Sequence, residues 1–244
     1  MTGQQEGLYQ WLDVNYLNNT LGTYFTKGII EIGGASAQVA FVANTPSNPN
    51  VIKLTINSVV YDIFSISFLG LGQDLARLSM NAVQPPLNPN DCYPVGYNQG
   101  PITGSFLYSG CLANYIDVLS DFSTVSQLTS VPGFGSQSYY GIAAIYFNST
   151  FLGVSNNFNP LSVANAITSI CSNSYAQLQQ LYPGLPLLFN KCADSTYIDS
   201  FLYSSSGLNL IGIPVEPVVT ISGVPITWTG GYIYQVNKTP SILG

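Results

Sequence analysis

The spacing of apolar residues along the chain predicts helices that alternate with short strands. Residues 7–18 carry apolar side chains at helical spacing, which predicts an amphipathic helix opened by Glu6. The apolar runs at about 28–33 and 37–43 predict two strands that turn at Gly33–Ser36. Because strands and helices alternate in this way, we expect a fold of the α/β class.

The rest of the chain continues the alternation. We predict a third strand run over 51–65, a helix over 72–83, an irregular loop over 84–104, a helix over 111–120, a buried strand over 137–147, one long helix or a helix pair over 160–184 and a β-rich tail over 214–236. No internal repeat of the kind that builds solenoids is visible. The pattern therefore predicts a globular unit and not a repeat array.

Composition narrows the classes of function. The chain has 244 residues, of which 46% are hydrophobic and 7% charged, with a formal net charge of −6. Nucleic-acid binding needs clustered Lys and Arg, so with five such residues we expect no nucleic-acid partner. Histidine is absent, which excludes a Ser-His-Asp triad. No apolar run approaches the roughly 20 residues that cross a bilayer, and we predict no membrane span in this chain.

The four cysteines point to disulfide bonds and not to a metal site. None of them forms a Cys-x-x-Cys pair, so a structural zinc site is not expected. Of the three pairings that four cysteines allow, we predict Cys92–Cys111 and Cys171–Cys192, which join near neighbours in the sequence. Each bridge is expected to stabilise the fold by about 3 kcal/mol. Since disulfides persist in oxidising compartments, we predict a secreted, lumenal or extracellular protein.

Three Asn-x-Thr sequons support the same compartment. They make Asn18, Asn148 and Asn237 predicted N-glycosylation sites. Because such sequons are common by chance, the cysteines carry more of this argument.

The turn between the first two predicted strands is the strongest candidate for chemistry. Glycine at 33 and 34 lets a ligand approach the backbone, and the amides of such a turn can converge on an anion. Ser36 adds a hydroxyl donor. A plain β-hairpin turn without a ligand is the alternative interpretation of the same residues.

Two further stretches, taken together with this turn, resemble conserved regions of the apyrases, the nucleoside triphosphate diphosphohydrolase family. The three stretches are "MTGQQEGLYQWLDVNYL", "IIEIGGASAQVAF" and "SISFLGLGQDLAR", in the family's order and at similar spacing. The matching residues are Gly3, Glu6, Gly7, Tyr9, Trp11, Asn15, Tyr16 and Leu17 in the first stretch, Gly33, Gly34, Ala35, Ser36 and Gln38 in the second, and Ser67, Phe68, Leu69, Gly72, Asp74 and Ala76 in the third. The segments "DCYPVGY", "YGIAAIYF" and "KCADSTYI" are similar to family segments that carry its paired cysteines, so the resemblance covers nearly the whole chain.

The resemblance implies an actin-like (ribonuclease H-like) ATPase lobe, with a mixed β-sheet flanked by helices. It implies that a nucleoside tri- or diphosphate is hydrolysed with Ca²⁺ or Mg²⁺. Glu6 matches the family's catalytic base, and Gly33–Ser36 matches its second phosphate-binding loop. Glu31 and Gln38 match groups that hold waters of the metal, although Glu31 is one methylene longer than the family's aspartate. Tyr146 matches, more loosely, the aromatic residue that stacks on the nucleobase.

The same resemblance predicts that residues 1–244 form the C-terminal lobe of a two-lobed fold. The phosphate loop of the N-terminal lobe, of the type D-x-G-S-S-x-T, is absent from the sequence. Since both lobes must clamp the phosphates, we expect this chain alone to be inactive and its partner to be the N-terminal lobe, from the same precursor or another chain.

Two other functions are open from the sequence. The first is an apyrase-derived protein that has lost catalysis and serves as a structural or self-assembling extracellular protein, because low surface charge favours self-association. The second is an exopolyphosphatase, which shares the Gly-Gly-x-Ser turn but accounts poorly for the other two stretches.

Overall fold

A six-stranded mixed β-sheet forms the centre of the computed structural model, which describes residues 1–43, 45 and 47–238. Its strand order is β3-β4-β2-β1-β7-β8. The strands of this sheet are β1 (Gly28–Ile32), β2 (Ser36–Val42), β3 (Val51–Ile56), β4 (Val59–Leu69), β7 (Tyr139–Ala143) and β8 (Val215–Pro217), and two small hairpins add β5 (Asn98–Gln99) with β6 (Ile102–Thr103) and β9 (Thr220–Ile221) with β10 (Val224–Pro225). The predicted α/β class and the mixed sheet flanked by helices are confirmed.

Nine α-helices among the described residues surround the sheet. They are α1 (Gly3–Leu17), α2 (Gln73–Met80), α3 (Tyr108–Ser120), α4 (Thr124–Gln127), α5 (Ala144–Phe151), α6 (Pro160–Cys171), α7 (Tyr175–Leu181), α8 (Lys191–Tyr203) and α9 (Trp228–Lys238). In this described part of the chain, no helix is long and apolar enough to span a membrane.

The first hairpin of the sheet was well predicted from the sequence. Strands β1 and β2 are antiparallel, with Ile32 opposite Ala37 and Glu31 opposite Gln38. On its other side β1 pairs in parallel with β7, so that Ile32 lies beside Ala143. Both strands of the hairpin are therefore central and largely buried, as continuous apolar runs indicate.

The first helix begins earlier than the prediction at Glu6. Its N-cap is Thr2, whose hydroxyl accepts from the amide of Gln5 while the Gln5 side chain accepts from the amide of Thr2. This reciprocal capping box satisfies two otherwise unpaired amides and places the start of the helix at Gly3. Glu6 thus lies inside the first turn, where the helix dipole favours a carboxylate.

Three other boundary predictions were wrong. Run 51–65 is not one strand but a hairpin, because Asn57 and Ser58 turn the chain with positive φ angles of 49° and 67°. The strand predicted over 137–147 ends at Ala143, where φ is 58° and α5 begins. The tail predicted to be β-rich ends in α9.

Two hydrophobic cores lie on the two faces of the sheet. The larger core contains both disulfides and the buried faces of α3, α5, α6 and α8, and the smaller core lies between the sheet and α1, around Trp11. The structure pairs Cys92 with Cys111 and Cys171 with Cys192, in agreement with the predicted pairing. All four cysteines are fully buried, so the bridges fix the helical layer of the larger core.

Candidate active site

Two glycines bring α1 very close to the sheet at the end where the first hairpin turns. A Cβ atom on Gly3 would lie 2.4 Å from the hydroxyl oxygen of Ser67, and one on Gly7 would lie 2.7 Å from that of Ser65. Neither distance is compatible with a side chain, so glycine is required here for close packing. As a result, the side chain of Glu6, which lies between them, reaches the residues of β2.

Gln38 connects Glu6 to the turn. Its side-chain NH2 group, on a residue that is 1% exposed, lies within hydrogen-bond distance of Glu6 Oε2 at 3.3 Å, Ser36 Oγ at 2.7 Å and Ser67 Oγ at 3.1 Å, and these three acceptors share its two protons. Because both hydroxyl oxygens accept from Gln38, the protons of Ser36 and Ser67 are left to donate elsewhere. The amide thereby orients a carboxylate and two hydroxyl groups around one point.

The backbone carbonyls of the turn are held by hydrogen bonds from the start of α2. The amide of Gly33 donates to the carbonyl of Ser36 at 3.0 Å and closes the hairpin. The carbonyl of Gly33 accepts from Gln73, and that of Gly34 accepts from Asp74, at 2.7 and 2.9 Å, which ties the turn to the start of α2.

The planarity of the peptide bond then decides where the amides of the turn point. In a trans peptide the carbonyl and the following N–H point in opposite directions. The carbonyls of Gly33 and Gly34 face α2, so the N–H groups of Gly34 and Ala35 face away from it, and both of these residues are exposed. Two exposed donors that face the same way form a small concavity suited to an anion.

Glu31 places a second carboxylate on the same face of the sheet as Gln38. The two residues are direct cross-strand neighbours. The pKa of Glu31 is raised to about 7, mainly by burial and also by the charge of Glu6, while a hydrogen bond from the Gln10 side chain lowers it. Its Oε2 atom is buried and has no protein partner.

These groups fit a hard divalent cation held mainly through water. Carboxylate and amide oxygens are the ligands that Ca²⁺ and Mg²⁺ prefer, and Mg²⁺ in particular keeps several waters. The described residues contain no group of three or more acidic, histidine or cysteine side chains that could hold a metal ion. The carboxylates of Glu6 and Glu31, with the unpartnered Oε2 of the latter, are groups that could hold waters of such a cation.

A buried ion pair between Arg77 and Asp194 holds the start of α2, to which the turn is hydrogen-bonded. The guanidinium of Arg77 contacts Asp194 of α8 and donates to Asp74 Oδ1 at 2.6 Å. Asp74 also donates its amide to Gly34, and its Oδ2 lies 2.9 Å from where a Cβ of Gly34 would be. The turn is thus linked through α2 to a helix in the larger core.

The predicted nucleobase residue and the predicted glycosylation sites make none of the hydrogen bonds described above between Glu6, Gln38 and the turn. Tyr146 is half-buried on α5 with its ring edge-on to Phe147, at 5.6 Å between ring centroids, and its nucleobase role stays a prediction. Asn148 is 1% exposed, and its side-chain amide donates to Gln73 and to the carbonyl of Ala144, a geometry that speaks against a glycan there. Asn18 is half-buried and Asn237 is exposed.

The sequence did not single out three residues that the structure brings to the site. These are Gln10, Arg77 and Asp194. Ser67 was matched as a motif residue but was given no role. Gln10 lies four residues after Glu6, so the two share a helix face, and this spacing could have indicated it. No local pattern connects Arg77 to Asp194, which lies 117 positions later in the chain.

A carboxylate beside a glycine turn with exposed amides, together with a second carboxylate, is an arrangement suited to phosphate chemistry. Comparison with known proteins agrees with this interpretation. Residues 1–129 match the family model described as the GDA1/CD39 (nucleoside phosphatase) family. The match covers more than half of the chain, and the protein belongs to this family.

Several curated relatives are similar over nearly the whole chain. "Probable apyrase 6" of Arabidopsis thaliana is 25% identical over 98% of this chain and 51% of its own length. "Ectonucleoside triphosphate diphosphohydrolase 8" of Homo sapiens is 27% identical over 97% of this chain and 58% of its own length. The chain therefore spans about half the length of the curated relatives that it matches.

Solved structures confirm the fold. A nucleoside triphosphate hydrolase from Neospora caninum superposes with a TM-score of 0.71 at 16% sequence identity, over 98% of this chain and 64% of the other. A Ppx/GppA phosphatase from Aquifex aeolicus superposes with a TM-score of 0.53 at 12% identity, over 96% of this chain and 63% of the other. These superpositions agree with the predicted fold, a mixed β-sheet flanked by helices.

Proposed function

We propose that this chain is the C-terminal lobe of a nucleotide phosphohydrolase that releases the terminal phosphate of nucleoside tri- and diphosphates. The observation that carries the proposal is the hydrogen-bonded connection from Glu6 through Gln38 to Ser36. It aligns a proton acceptor with the turn whose amides are exposed. Membership of a nucleoside phosphatase family and the names of the curated relatives support this substrate class.

In the proposed reaction, the amides of Gly34 and Ala35 and the hydroxyl of Ser36 hold oxygens of the terminal phosphate. Gln38 fixes the Glu6 carboxylate, which accepts a proton from a water as that water's oxygen attacks the phosphorus. The bond from phosphorus to the bridging oxygen breaks, and the shortened nucleotide leaves with the electron pair. A bound Ca²⁺ or Mg²⁺ would supply charge neutralisation of the phosphates.

The environment of Glu31 supports a role on the metal side of the site and not as a second base. Its buried Oε2 lacks a protein partner, and its neighbour Gln38 already orients Glu6. We propose that Glu31 and Gln38 hold waters of the cation, with the longer side chain of Glu31 drawn toward Gln10 in α1.

The proposal includes a second lobe and an extracellular or lumenal setting. The chain spans about half of its curated relatives, and we propose that an N-terminal lobe supplies the other phosphate contacts. Two disulfides between buried cysteines support an oxidising compartment, in which Asn18 and the exposed Asn237 are the candidate glycosylation sites.

The test is equilibrium binding of a non-hydrolysable ATP analogue in the presence of Ca²⁺ or Mg²⁺. A Cβ on Gly33 would have only the Ser36 carbonyl oxygen near it, at 3.5 Å, so the turn has room for the Cβ of Gly33→Val. We expect saturable, chelator-sensitive binding that Gly33→Val weakens at least about tenfold, the effect of losing roughly 1.4 kcal/mol.

Gly135→Val is the matched control. A Cβ on this exposed glycine would meet only Ile213, at 3.9 Å, far along the chain from the turn. Absence of binding, or an equal loss in both variants, would contradict the assignment of the turn. Phosphate release from ATP by the chain alone, abolished by Glu6→Gln, would support the base but contradict the need for a second lobe.

A further inference from the structure

We infer that the β3 edge of the sheet is an interface for a second copy of this chain, paired antiparallel about a two-fold axis to give one continuous twelve-stranded sheet. This inference does not depend on the proposed function. It rests on which backbone groups of β3 point outward, on how the charge on the strand is neutralised, and on the difference between the two edges of the sheet.

The two edges of the sheet are unequal. Strand β8 closes one edge with three residues and ends at Pro217, which has no N–H to offer. Strand β3 closes the other edge with six residues, contains no proline and is rich in residues that favour strands. Only the β3 edge therefore presents a usable row of backbone donors and acceptors.

Existing hydrogen bonds show which residues of β3 face outward. The amide of Ser65 donates to the carbonyl of Asn50 at 2.9 Å, so the backbone groups of even-numbered residues face β4. Odd-numbered residues therefore face outward. The amide of Val51 is already bonded to Asn48 at 2.9 Å, which leaves Lys53 and Thr55 with outward N–H and C=O groups.

The charge that normally protects an edge is neutralised here. A lysine on an edge strand discourages pairing with other chains. Lys53 is the single charged residue of β3, and its ammonium lies 3.7 Å from Asp62 Oδ1 on the neighbouring strand. The rim of the sheet thus has no net charge at this point.

Charge and hydrogen bonding together select one register. Placing Lys53 opposite itself sets like charges face to face, which is unfavourable. Placing Thr55 opposite itself moves Lys53 beyond the end of the partner strand. With Leu54 opposite Leu54 of the second copy, Lys53 faces Thr55, and their outward groups form two reciprocal pairs, four hydrogen bonds in all.

The same register continues an apolar stripe across the interface. Ile52, Leu54 and Ile56 share one face of β3 and pack, partly buried, against the core beneath α1. Across the two-fold axis, Ile52 lies opposite Ile56 and Leu54 opposite Leu54. Cross-strand pairs of this kind are the contacts that stabilise sheets.

Cysteine cross-linking tests the register. All cysteines of the described chain are in disulfides, so one introduced thiol is unique. Leu54 occupies a non-hydrogen-bonded pair, in which Cα atoms are about 4.5 Å apart, within the range of a disulfide. We expect Leu54→Cys to form a covalent dimer under mild oxidation, whereas Lys53→Cys and Thr55→Cys do not.

A proline substitution tests the edge itself by sedimentation of the uncross-linked protein. Thr55→Pro removes an outward N–H without touching the bonds to β4, and Thr55→Val keeps that N–H as the matched control. We expect a concentration-dependent dimer that Thr55→Pro shifts to monomer and Thr55→Val retains. A wild-type monomer at every concentration, a dimer unaffected by Thr55→Pro, or cross-links through Lys53→Cys instead of Leu54→Cys would each overturn the inference.

Discussion

Two hairpins of the same sheet, the inner hairpin β1–β2 and the outer hairpin β3–β4, use their turn residues in opposite ways. Three residues, 33–35, connect the strands of the inner hairpin, and two residues, 57 and 58, connect those of the outer hairpin. The β3–β4 turn has positive φ at Asn57 and Ser58, although neither residue is glycine. Neither Gly33 nor Gly34 of the β1–β2 turn is among the glycines with positive φ. Glycine in the inner turn therefore does not serve the backbone conformation.

The surroundings of the two turns explain the difference. Asn57 and Ser58 are exposed, whereas the inner turn is tied to α2 through its carbonyls and closed by Gly33 and Ser36. The absence of a side chain on Gly33 keeps the outer side of this turn open, whereas its absence on Gly34 leaves room for the carboxylate of Asp74 on the α2 side. This difference supports the proposal that the inner turn binds phosphate, whereas the outer turn reverses the chain.

The largest expected effect concerns the chemistry at the inner hairpin. In an active protein that contains both lobes, Glu6→Gln keeps the size and the hydrogen bonding of the side chain but cannot accept a proton. We expect phosphate release from ATP to fall by about 10²–10⁴-fold with little change in nucleotide binding. Glu216→Gln, on the exposed middle residue of β8, should leave the rate unchanged. Equal rates for Glu6→Gln and wild type would contradict the assignment of the base.

The second effect concerns the stability that the ion pair of Arg77 and Asp194 gives to the protein. Arg77→Met leaves Asp194, which is 3% exposed, as a buried carboxylate without its cation. We expect the free energy of unfolding in urea to fall by about 3–5 kcal/mol, the cost of breaking a buried pair. Lys53→Met, which breaks an exposed pair on the outer hairpin, should cost less than about 1 kcal/mol. Similar losses in both variants would contradict the difference between the hairpins.

The third effect is a pH dependence. The folded-state pKa of Glu31, about 7, lies above its ordinary value of 4.5, so the folded protein binds this proton more tightly than the unfolded chain. Stability from Glu31 is therefore present at low pH and is lost as the pH rises from about 4.5 to about 7. We expect Glu31→Gln to be more stable than wild type above this window by about 1–3 kcal/mol, and nearly equal below it. Thermal unfolding at several pH values measures this, and a constant difference across the window would contradict it.

The smallest effect concerns the outer hairpin. Ser58→Gly creates an Asn-Gly turn at a position with a φ of 67°. Glycine adopts this conformation without steric cost, and Asn-Gly is the preferred pair in such hairpins, so we expect a gain of about 0.5–1 kcal/mol. Ser172→Gly, at a helix end with a φ of −71°, should lower stability instead. A loss of stability in Ser58→Gly would show that the outer turn depends on contacts that its exposure does not indicate.

The local hydrophobic pattern was sufficient to predict those elements in which the apolar residues of the sequence are also the buried residues of the fold. The β1–β2 hairpin consists of continuous apolar strands around a small-residue turn, and both strands are buried as that pattern indicates. Helix α1 shows the apolar spacing of a helix that packs on a sheet. The cysteine spacing gave the pairing, and the motif around Glu6 gave the first residue of the candidate site.

Helix α8 could not be predicted, because the pattern that identifies a surface helix requires a polar, exposed face. Its residues from Cys192 to Tyr203 are all buried, including Asp194 and Asp199. The carboxylates of Asp194 and Asp199 are paired with Arg77 and Tyr108, which come from distant parts of the chain. Since those partners are defined only by the fold, the residues of α8 carry no periodic signal.

Helix α9 could not be predicted either, because its local sequence argues against a helix. Consecutive glycines at 230 and 231 argue against a helix by propensity. In the folded protein, a Cβ on Gly231 would lie 1.8 Å from the carbonyl oxygen of Tyr9, and one on Gly230 would lie 2.1 Å from Asp13 Oδ1. These glycines therefore allow α9 to pack directly on α1. The sequence by itself determined the first hairpin, its turn and the cysteine pairing, and it supplied Glu6 as the candidate base. Only the tertiary structure decided the contacts that support these features, because those contacts join residues whose partners are distant in the chain.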